Sequence, residues 1–254
     1  MKVSQTLLNA VVLFTVTGAA QAALLDRGGG LIYDTALNVT WLADANYAKT
    51  SLYDADGQMT WSQATAWASS LSFYDSVRKV TYTDWRLPNT GPVDGVAMTP
   101  EPFPGGYVSS VDGSTEVGYN VSAPGSAFPG SKGSEMAYLF YNELGNKGYY
   151  GVNGVYQPDS GLVNTGPFIN FQPSIYWSGT EYGYGDAWTF SSDGLQKWRN
   201  KSALVQTGPG NYYTIPIYAL AVRPGDVAAV PEADTWALLL VGLGLVGTAV
   251  RRRR

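Results

Sequence analysis

The stretch from Tyr82 to Asn89 reads YTDWRLPN, and the fold prediction for this chain starts from it. Trp85 and Leu87 alternate with Arg86, which is the spacing that a strand uses to separate apolar from polar side chains. Pro88 has no backbone N–H to donate to a sheet, so it cannot continue a central strand. We therefore predict that the chain leaves a sheet at Pro88.

Arg86 is the charged residue at the centre of this stretch, and two structural roles are open to it. It can form an ion pair with a carboxylate such as Asp84, or it can act as an internal clamp between segments. We favour a structural role over ligand binding, because ion pairs of this kind usually organise turns.

Short strands are predicted on both sides of this stretch. Upstream, residues 31–33 and 39–42 are rich in apolar, β-branched and aromatic residues, and they flank a turn at 34–38 that contains Asp and Asn, a pattern typical of a hairpin. Downstream, alternation or short apolar runs predict three further strands. They lie at residues 175–178, 187–190 and 218–223.

The first helix is predicted to begin after Thr60. Gln63 follows three residues later, and this spacing is typical of a capping box. The next apolar residues recur at the spacing of one helical face, so they are predicted to enter the core. They are Trp61, Ala64, Ala68 and Leu71, with Trp67 beside them.

A second helix is predicted over residues 135–144, with Ser134 as its N-terminal cap and Gly145 at its end. Glu135 and Glu143 are predicted to remain solvated. A pair of acids for glycoside cleavage would need a second carboxylate at a fixed separation, which the sequence does not establish. The residues predicted to face the core are Met136, Leu139 and Phe140.

Residues 89–133 form a long insertion between the two helices, rich in Gly, Pro, Ser and Thr. A loop of this length is either functional or loosely ordered. Its aromatic residues, which are predicted to pack onto the domain, are Phe103, Tyr107, Tyr119 and Phe128.

Carboxylates in two places suggest calcium, but neither pattern predicts a site. Residues 54–57, Asp-Ala-Asp-Gly, resemble the start of a calcium loop but lack its later ligands, so an ordinary turn is favoured. The carboxylates of the long insertion have no supporting spacing. They are Asp94, Asp112 and Glu116. We predict no metal site, no catalytic residue and no cofactor.

The chain contains no Cys and no His. Without Cys, disulfides, thiolate nucleophiles and Cys-based zinc sites are excluded, so the fold must rely on its hydrophobic core. Without His, the commonest general base near neutral pH and the commonest transition-metal ligand are missing. Carboxylate chemistry and binding of hard cations remain open.

Acidic residues outnumber basic residues by 20 to 16. This balance argues against nucleic acid as a partner, because phosphate binding needs a basic surface. The chain also contains 30 Gly, 18 Tyr and 8 Trp. Such a composition predicts short strands, many turns and aromatic surfaces of the kind used to recognise sugars or proteins, although most of these rings are expected in the core.

A basic and aromatic cluster lies between the predicted downstream strands. It could bind an acidic polysaccharide through charge and ring stacking. An exposed hairpin tip is favoured over this reading, because so few charges make a weak field in an acidic domain. The candidate ligand-binding residues are Lys197, Trp198, Arg199 and Lys201.

Residues 1–22 have the layout of a cleavable secretory signal. Lys2 precedes an apolar run at 7–16, and Ala20-Gln21-Ala22 is an A-x-A cleavage site. The apolar run is too short to span a bilayer stably. We predict cleavage after Ala22 and export of the chain.

The last residues combine an acidic and proline cue, an apolar segment at 235–250 and a terminal arginine cluster. As a helix the apolar segment is about 24 Å long, against about 30 Å for a hydrocarbon core, which makes it marginal as a permanent anchor. The arginines predict a cytoplasmic end, with the domain outside the inner membrane. The cue is Pro231, Glu232 and Ala233, and the membrane stop signal is Arg251, Arg252, Arg253 and Arg254.

Several motifs occur in an order that resembles the Lcl C-terminal domain family of bacterial surface and exported proteins. They are Thr40-Trp41-Leu42, a W-x-x-A helix from Trp61, Asp84-Trp85-Arg86-Leu87-Pro88, Ser134-Glu135-Met136, Tyr176–Thr180 and Ala221–Pro224. The resemblance implies an α+β domain over 23–228 with a C-type-lectin-like fold, related to the formylglycine-generating enzyme. That fold has a twisted antiparallel sheet, two helices and long loops.

The tail at 229–254 resembles the PEP-CTERM sorting signal, although Ala233 stands where that signal usually has Pro. The resemblance implies that an exosortase removes the tail after transient anchoring in the inner membrane. It also implies delivery to the cell surface or extracellular matrix of a Gram-negative bacterium.

Together these observations predict an exported, non-enzymatic surface or matrix protein with extracellular polysaccharide as a candidate partner. Two alternatives stay open. One is a carbohydrate-active enzyme or an enzyme of the formylglycine-generating type, whose sulfur-dependent form the absence of Cys disfavours. The other is a permanently membrane-tethered surface protein, whose C-terminal hydrophobic helix is never removed.

Overall fold

The computed structural model describes residues 23–98, 109–183, 186–193, 204–206 and 217–227. Within these ranges the chain is rich in short strands and has few helices, in agreement with the predicted α+β class. In chain order the strands are β1 (Leu24–Asp26), β2 (Leu31–Asp34), β3 (Val39–Leu42), β4 (Gln58–Met59), β5 (Phe73–Asp75), β6 (Val80–Tyr82), β7 (Ile175–Gly183), β8 (Asp186–Ser191), β9 (Leu204–Gln206), β10 (Ile217–Tyr218) and β11 (Val222–Pro224).

The first sheet has the order β1-β2-β3-β11 and is antiparallel throughout. Its β2–β3 hairpin confirms the predicted pair of upstream strands. Asp34 shapes the turn, because its Oδ1 accepts hydrogen bonds from the backbone N–H groups of Ala36 and Leu37 at 3.0 and 2.9 Å. Asn38 ends the turn in the left-handed region, at a φ of 53°, which Asn tolerates better than most residues.

The second sheet has the order β4-β10-β7-β8-β9 and is mixed, because β10 runs parallel to β7. The described strands therefore form two larger sheets and a β5–β6 hairpin, where one antiparallel sheet was expected. The single strand predicted at 218–223 is wrong. Tyr218 lies in β10 of the second sheet, Val222 and Arg223 lie in β11 of the first, and the buried residues 219–221 between them belong to neither strand.

The central strands bury both of their faces. Ile32 pairs with Trp41 across β2 and β3, and both enter one hydrophobic cluster. Their neighbours Leu31 and Leu42 also pair, and both enter a second cluster on the other face. All four residues are at most 1% exposed, so the two faces of this hairpin contribute to two adjoining cores.

The described helices are α1 (Tyr47–Thr50), α2 (Trp61–Ser70) and α3 (Glu135–Tyr138), and α3 continues directly into a π-helical turn, Leu139–Glu143. The predicted capping box of α2 is confirmed. The N–H of Thr60 donates to Oε1 of Gln63 at 2.9 Å, and the N–H of Gln63 donates to Oγ1 of Thr60 at 3.4 Å. The face predicted for the core is buried at Ala64, Trp67, Ala68 and Leu71.

The second predicted helix is shorter in its α-helical part than expected. Ser134 caps it as predicted, accepting from the N–H of Ala137 at 3.2 Å. The ladder then widens, and the N–H of Leu144 donates to the carbonyl of Leu139 at 2.9 Å, a five-residue step. The core-facing prediction is confirmed across this wider turn, where the buried residues include Met136, Leu139, Phe140 and Tyr141.

The insertion at 89–133 contains no helix or strand in its described part, 89–98 and 109–133. It nevertheless packs onto the domain, because Tyr119 is 6% exposed and Val121 is 2% exposed. Phe128 is an exception to the prediction, since 37% of its surface is exposed. Phe103 and Tyr107 lie outside the described residues.

Candidate functional site

The stretch from Asp84 to Pro88 lies where the two core clusters meet the first sheet. Trp85 and Leu87 are 4% and 2% exposed in the second cluster. Between them Arg86 exchanges two backbone hydrogen bonds with Val222 of β11, at 2.8 and 2.9 Å. This pairing stops at Arg86, and Pro88 instead offers its carbonyl to the N–H of Gly179 at 2.7 Å, which agrees with the predicted departure from the sheet.

The side chain of Arg86 forms a two-pronged ion pair with Glu135, at the start of α3. Its Nη1 donates to Oε2 at 2.7 Å and its Nη2 donates to Oε1 at 2.8 Å. Glu135 also accepts from the backbone N–H of Asn89 at 2.7 Å. The alternative in which Arg86 pairs with Asp84 is therefore wrong, and so is the prediction that Glu135 remains solvated.

Asp84 belongs to a second ion pair, formed with Arg223 of β11. Nε and Nη2 of Arg223 donate to its two carboxylate oxygens at 2.7 and 2.9 Å. The hydrogen bond and charge of Arg223 lower the pKa of Asp84 below its usual range. The same guanidinium lies over the ring of Tyr82, 4.4 Å from its centroid, where a cation–π contact adds to the attraction.

The two ion pairs join motifs that lie far apart in sequence. One links the central stretch to Ser134-Glu135-Met136, and the other links it to Ala221–Pro224. Both arginines use planar two-pronged geometry, which holds a carboxylate in one orientation. We conclude that the charged residues of this stretch clamp the fold together.

A cavity of about 810 Å³ lies beside Glu135, but the charged groups on its wall are already engaged. Asp94 accepts a hydrogen bond from the N–H of Val96 at 2.8 Å, and Lys132 donates to the carbonyl of Ala36. The other described residues of the wall are polar and small apolar ones.

The candidate calcium ligands cap turns of their own backbone. Oδ1 of Asp54 accepts from the N–H groups of Asp56 and Gly57 at 3.0 and 2.7 Å, and Asp112 accepts from the N–H of Ser114 at 3.1 Å. Within the described ranges, no three acidic side chains lie close enough together to hold a metal ion.

A pair of acids that the sequence did not single out lies beside the β2–β3 turn. Asp34 is fully buried, and burial raises its pKa. Oε1 of Glu143 is buried and has no hydrogen-bond partner in the described part of the chain. Burial first, and then the charge of Asp34, raise the pKa of Glu143 to about 7 against the opposing charge of Lys132. Glu143 is half-buried, so the prediction that it remains solvated fails for Oε1.

This raised pKa predicts a pH-dependent stability. The folded protein holds a proton on Glu143 that the unfolded chain has lost between pH 4.5 and about 7, so the free energy of unfolding falls as pH rises through that window. Glu143→Gln should raise the free energy of unfolding at pH 8 by about 1–2 kcal/mol, after allowance for partial exposure, and leave it nearly unchanged at pH 4. Urea denaturation at both pH values measures the difference.

Asp34 and Tyr138 also interact electrostatically with the Glu143 carboxyl. The control is therefore the parent protein, measured beside the variant at each pH. If the free energies of unfolding of the parent and the variant differ by the same amount from pH 4 to pH 8, the raised pKa of Glu143 is contradicted. The substitution would then have removed no group that titrates in that range.

Several predicted sites lie outside the described residues. They are the export signal at 1–22, the basic and aromatic cluster of Lys197, Trp198, Arg199 and Lys201, the cue Pro231, Glu232 and Ala233, and the arginines 251–254. Among the residues that the structure does describe, no helix has the length and apolar composition needed to cross a membrane.

Comparison with known families decides the nature of the tail. A family model described as the PEP-CTERM protein-sorting motif matches residues 229–254. The chain carries a PEP-CTERM sorting motif. No curated protein and no solved structure matches the chain, so the resemblance to the Lcl family has no support from these comparisons.

The PEP-CTERM motif indicates that the chain is sorted by an exosortase to the surface of a Gram-negative bacterium. The matched residues begin at 229, the boundary that the sequence predicts for the sorting segment. The predicted exosortase partner and the predicted export are thus supported by the same observation.

Proposed function

We propose that this chain is an exported, non-enzymatic protein of the cell surface or extracellular matrix, which binds extracellular polysaccharide after an exosortase has removed its tail. The PEP-CTERM motif at residues 229–254 carries the proposal, because it assigns the destination. The polysaccharide partner is inferred from that destination.

We also propose that the domain has the C-type-lectin-like architecture implied by the Lcl resemblance. The order of the motifs supports it, and so does their connection in space. Arg86 joins the Asp84–Pro88 motif to the motif that contains Glu135, and Asp84 joins the same motif to the one that contains Arg223. Motifs that contact one another are expected to belong to one structural unit.

Loss of the sorting cue should abolish processing. In a Gram-negative host that has an exosortase, we expect the parent chain to lose its C-terminal tail and reach the surface or medium. Glu232→Ala should leave the tail uncut and retain the chain in the inner membrane. Mass spectrometry of the mature protein, with cell fractionation, measures both outcomes.

Ala233→Pro is the matched control, because it changes the neighbouring position toward the usual signal and should process at least as well as the parent. Deletion of the exosortase should reproduce the Glu232→Ala result. An intact Arg254 in the surface-exposed parent protein would instead favour the permanently tethered alternative.

The enzymatic alternative has one observation in its favour. Glu143, whose pKa of about 7 suits a general acid, interacts with the carboxyl of Asp34, and glycosidases use paired carboxyl groups. Asp34, however, is fully buried and bonded to its own turn and to Trp41. Polysaccharide cleavage by the exported protein that Glu143→Gln abolishes would overturn the non-enzymatic proposal.

A further inference from the structure

A hairpin at Lys147–Gly161, here named the tyrosine hairpin, follows the π-helical turn and contacts the long insertion. Antiparallel bridges join Lys147 to Gly161 at its base and Tyr150 to Tyr156 nearer its tip. The tip is closed by the N–H of Gly151, which donates to the carbonyl of Val155 at 2.8 Å. These bonds hold the hairpin in one conformation although it contains no regular strand.

Aromatic rings in mutual contact cover part of this hairpin. The ring of Tyr149 lies 4.9 Å from that of Tyr150 and 4.7 Å from that of Tyr156, measured between centroids. Tyr119 of the long insertion supports Tyr150 from the domain side at 5.2 Å. Tyr156 remains 52% exposed, so it presents a supported ring to the solvent.

A cavity of about 430 Å³ runs between the hairpin and the domain, and amide side chains line much of it. Asn120 and Asn146 are structural, because they bind backbone groups of neighbouring loops. Asn153 and Gln157 each use one end of their amide to hold the hairpin, through the N–H of Val155 and the carbonyl of Gly148. The other ends, a donor N–H₂ and an acceptor carbonyl, have no partner among the described residues.

The lining of this cavity has no net charge to offer. Among the described residues that line it there is no Asp or Glu, and the one cation among them, Lys147, is paired with Asp159 at 2.5 Å. An exposed ring on the hairpin, together with a cavity that offers an amide donor, an amide acceptor and no unpaired charge, suits a ligand with neutral hydroxyl groups beside an apolar face. Pyranose sugars with equatorial hydroxyls have this combination.

We propose that the tyrosine hairpin binds a neutral polysaccharide, with one sugar ring stacked on Tyr156 and the hydroxyls of a neighbouring unit bonded to Asn153 and Gln157. Tyr156 precedes Gln157 but does not line the cavity, so the ring and the cavity are two separate subsites, and a polymer of several units is needed to occupy both. This inference rests on the proposed function and names the ligand class and the site.

The test uses the exported protein with cello-oligosaccharides as the neutral probe and alginate oligosaccharides as the acidic probe. Titration calorimetry should detect the neutral probe with an affinity that salt changes little. Tyr156→Ala should weaken it about tenfold, and Tyr156→Phe should retain most of it. Asn153→Asp keeps the acceptor for Val155 but loses the N–H₂ donor, so it should weaken binding about threefold or more.

Tyr74→Ala is the matched control, because Tyr74 is 59% exposed on β5, away from the hairpin. It should bind like the parent. Absence of neutral-probe binding, or equal binding by Tyr156→Ala, would overturn the proposal. Salt-sensitive binding of alginate alone, unaffected at Tyr156, would also overturn it and assign binding to the cluster at 197–201. That result would leave the proposed function intact. The proposed function would be contradicted if the parent protein, which retains Glu232, were not sorted to the surface.

Discussion

Glu135→Ala is expected to lower the free energy of unfolding by about 3–5 kcal/mol, because it leaves the guanidinium of Arg86 without its partner in a largely enclosed site. The same change removes the acceptor of the Asn89 N–H. The side chains of Arg86 and Glu135 are 31% and 12% exposed, so water can replace only part of the lost interaction. Urea denaturation at pH 7 measures the loss.

Two further variants separate charge from packing. Arg86→Met combined with Glu135→Leu should recover much of the lost stability, because neither charge is then left unpaired. Asp159→Ala breaks the ion pair between Lys147 and Asp159, whose side chains are 50% and 60% exposed. It should change the free energy of unfolding too little to measure. A Glu135→Ala protein as stable as Asp159→Ala would show that the clamp contributes nothing.

Trp41→Ala should cost about 3–5 kcal/mol, the range for removing a large aromatic side chain from a core. Trp41 is fully buried on β3, with its ring edge-on to Phe168 at 6.4 Å between centroids. Its Nε1 donates to Oδ2 of Asp34 at 3.4 Å, so the substitution also deprives a buried carboxyl of a donor. Thermal and urea unfolding should both show the loss.

Trp41→Phe keeps most of the volume and removes the N–H, so it should cost about 1–2 kcal/mol. Trp61→Ala is the control at a partly buried tryptophan, whose Nε1 donates to the carbonyl of Ser178 at 2.8 Å. It should cost clearly less than Trp41→Ala. Equal losses of unfolding free energy at the two positions would contradict the conclusion that Trp41 contributes more to the core than Trp61.

Features set by neighbours a few residues apart could be predicted from the sequence. The capping box at Thr60 and Gln63 and the Asp34–Asn38 turn depend on contacts across three to four residues, and both occur as expected. The alternation of apolar and polar residues likewise predicted that Trp85 and Leu87 lie on the apolar side, since the two-residue period of an extended chain is a local property. The sorting motif is also linear, so no fold is needed to recognise it.

The clamp partners could not be predicted, because they depend on segments brought together only by folding. Arg86 lies two residues from Asp84, and local reasoning pairs them. In the folded chain Arg86 reaches Glu135, 49 residues away, and Asp84 reaches Arg223, 139 residues away. Sequence spacing carries no information about which of several distant carboxylates will lie beside a guanidinium.

The sequence by itself therefore determined the destination of this protein, its α+β class and the local signals that begin its helices and turns. Only the tertiary structure decided how residues 217–224 divide between two sheets, which acid holds Arg86 and why Glu143 is partly buried. The physical reason is common to all three. Burial and ion pairing depend on which distant surfaces meet, and the pattern of a short segment is the same whichever surface it meets.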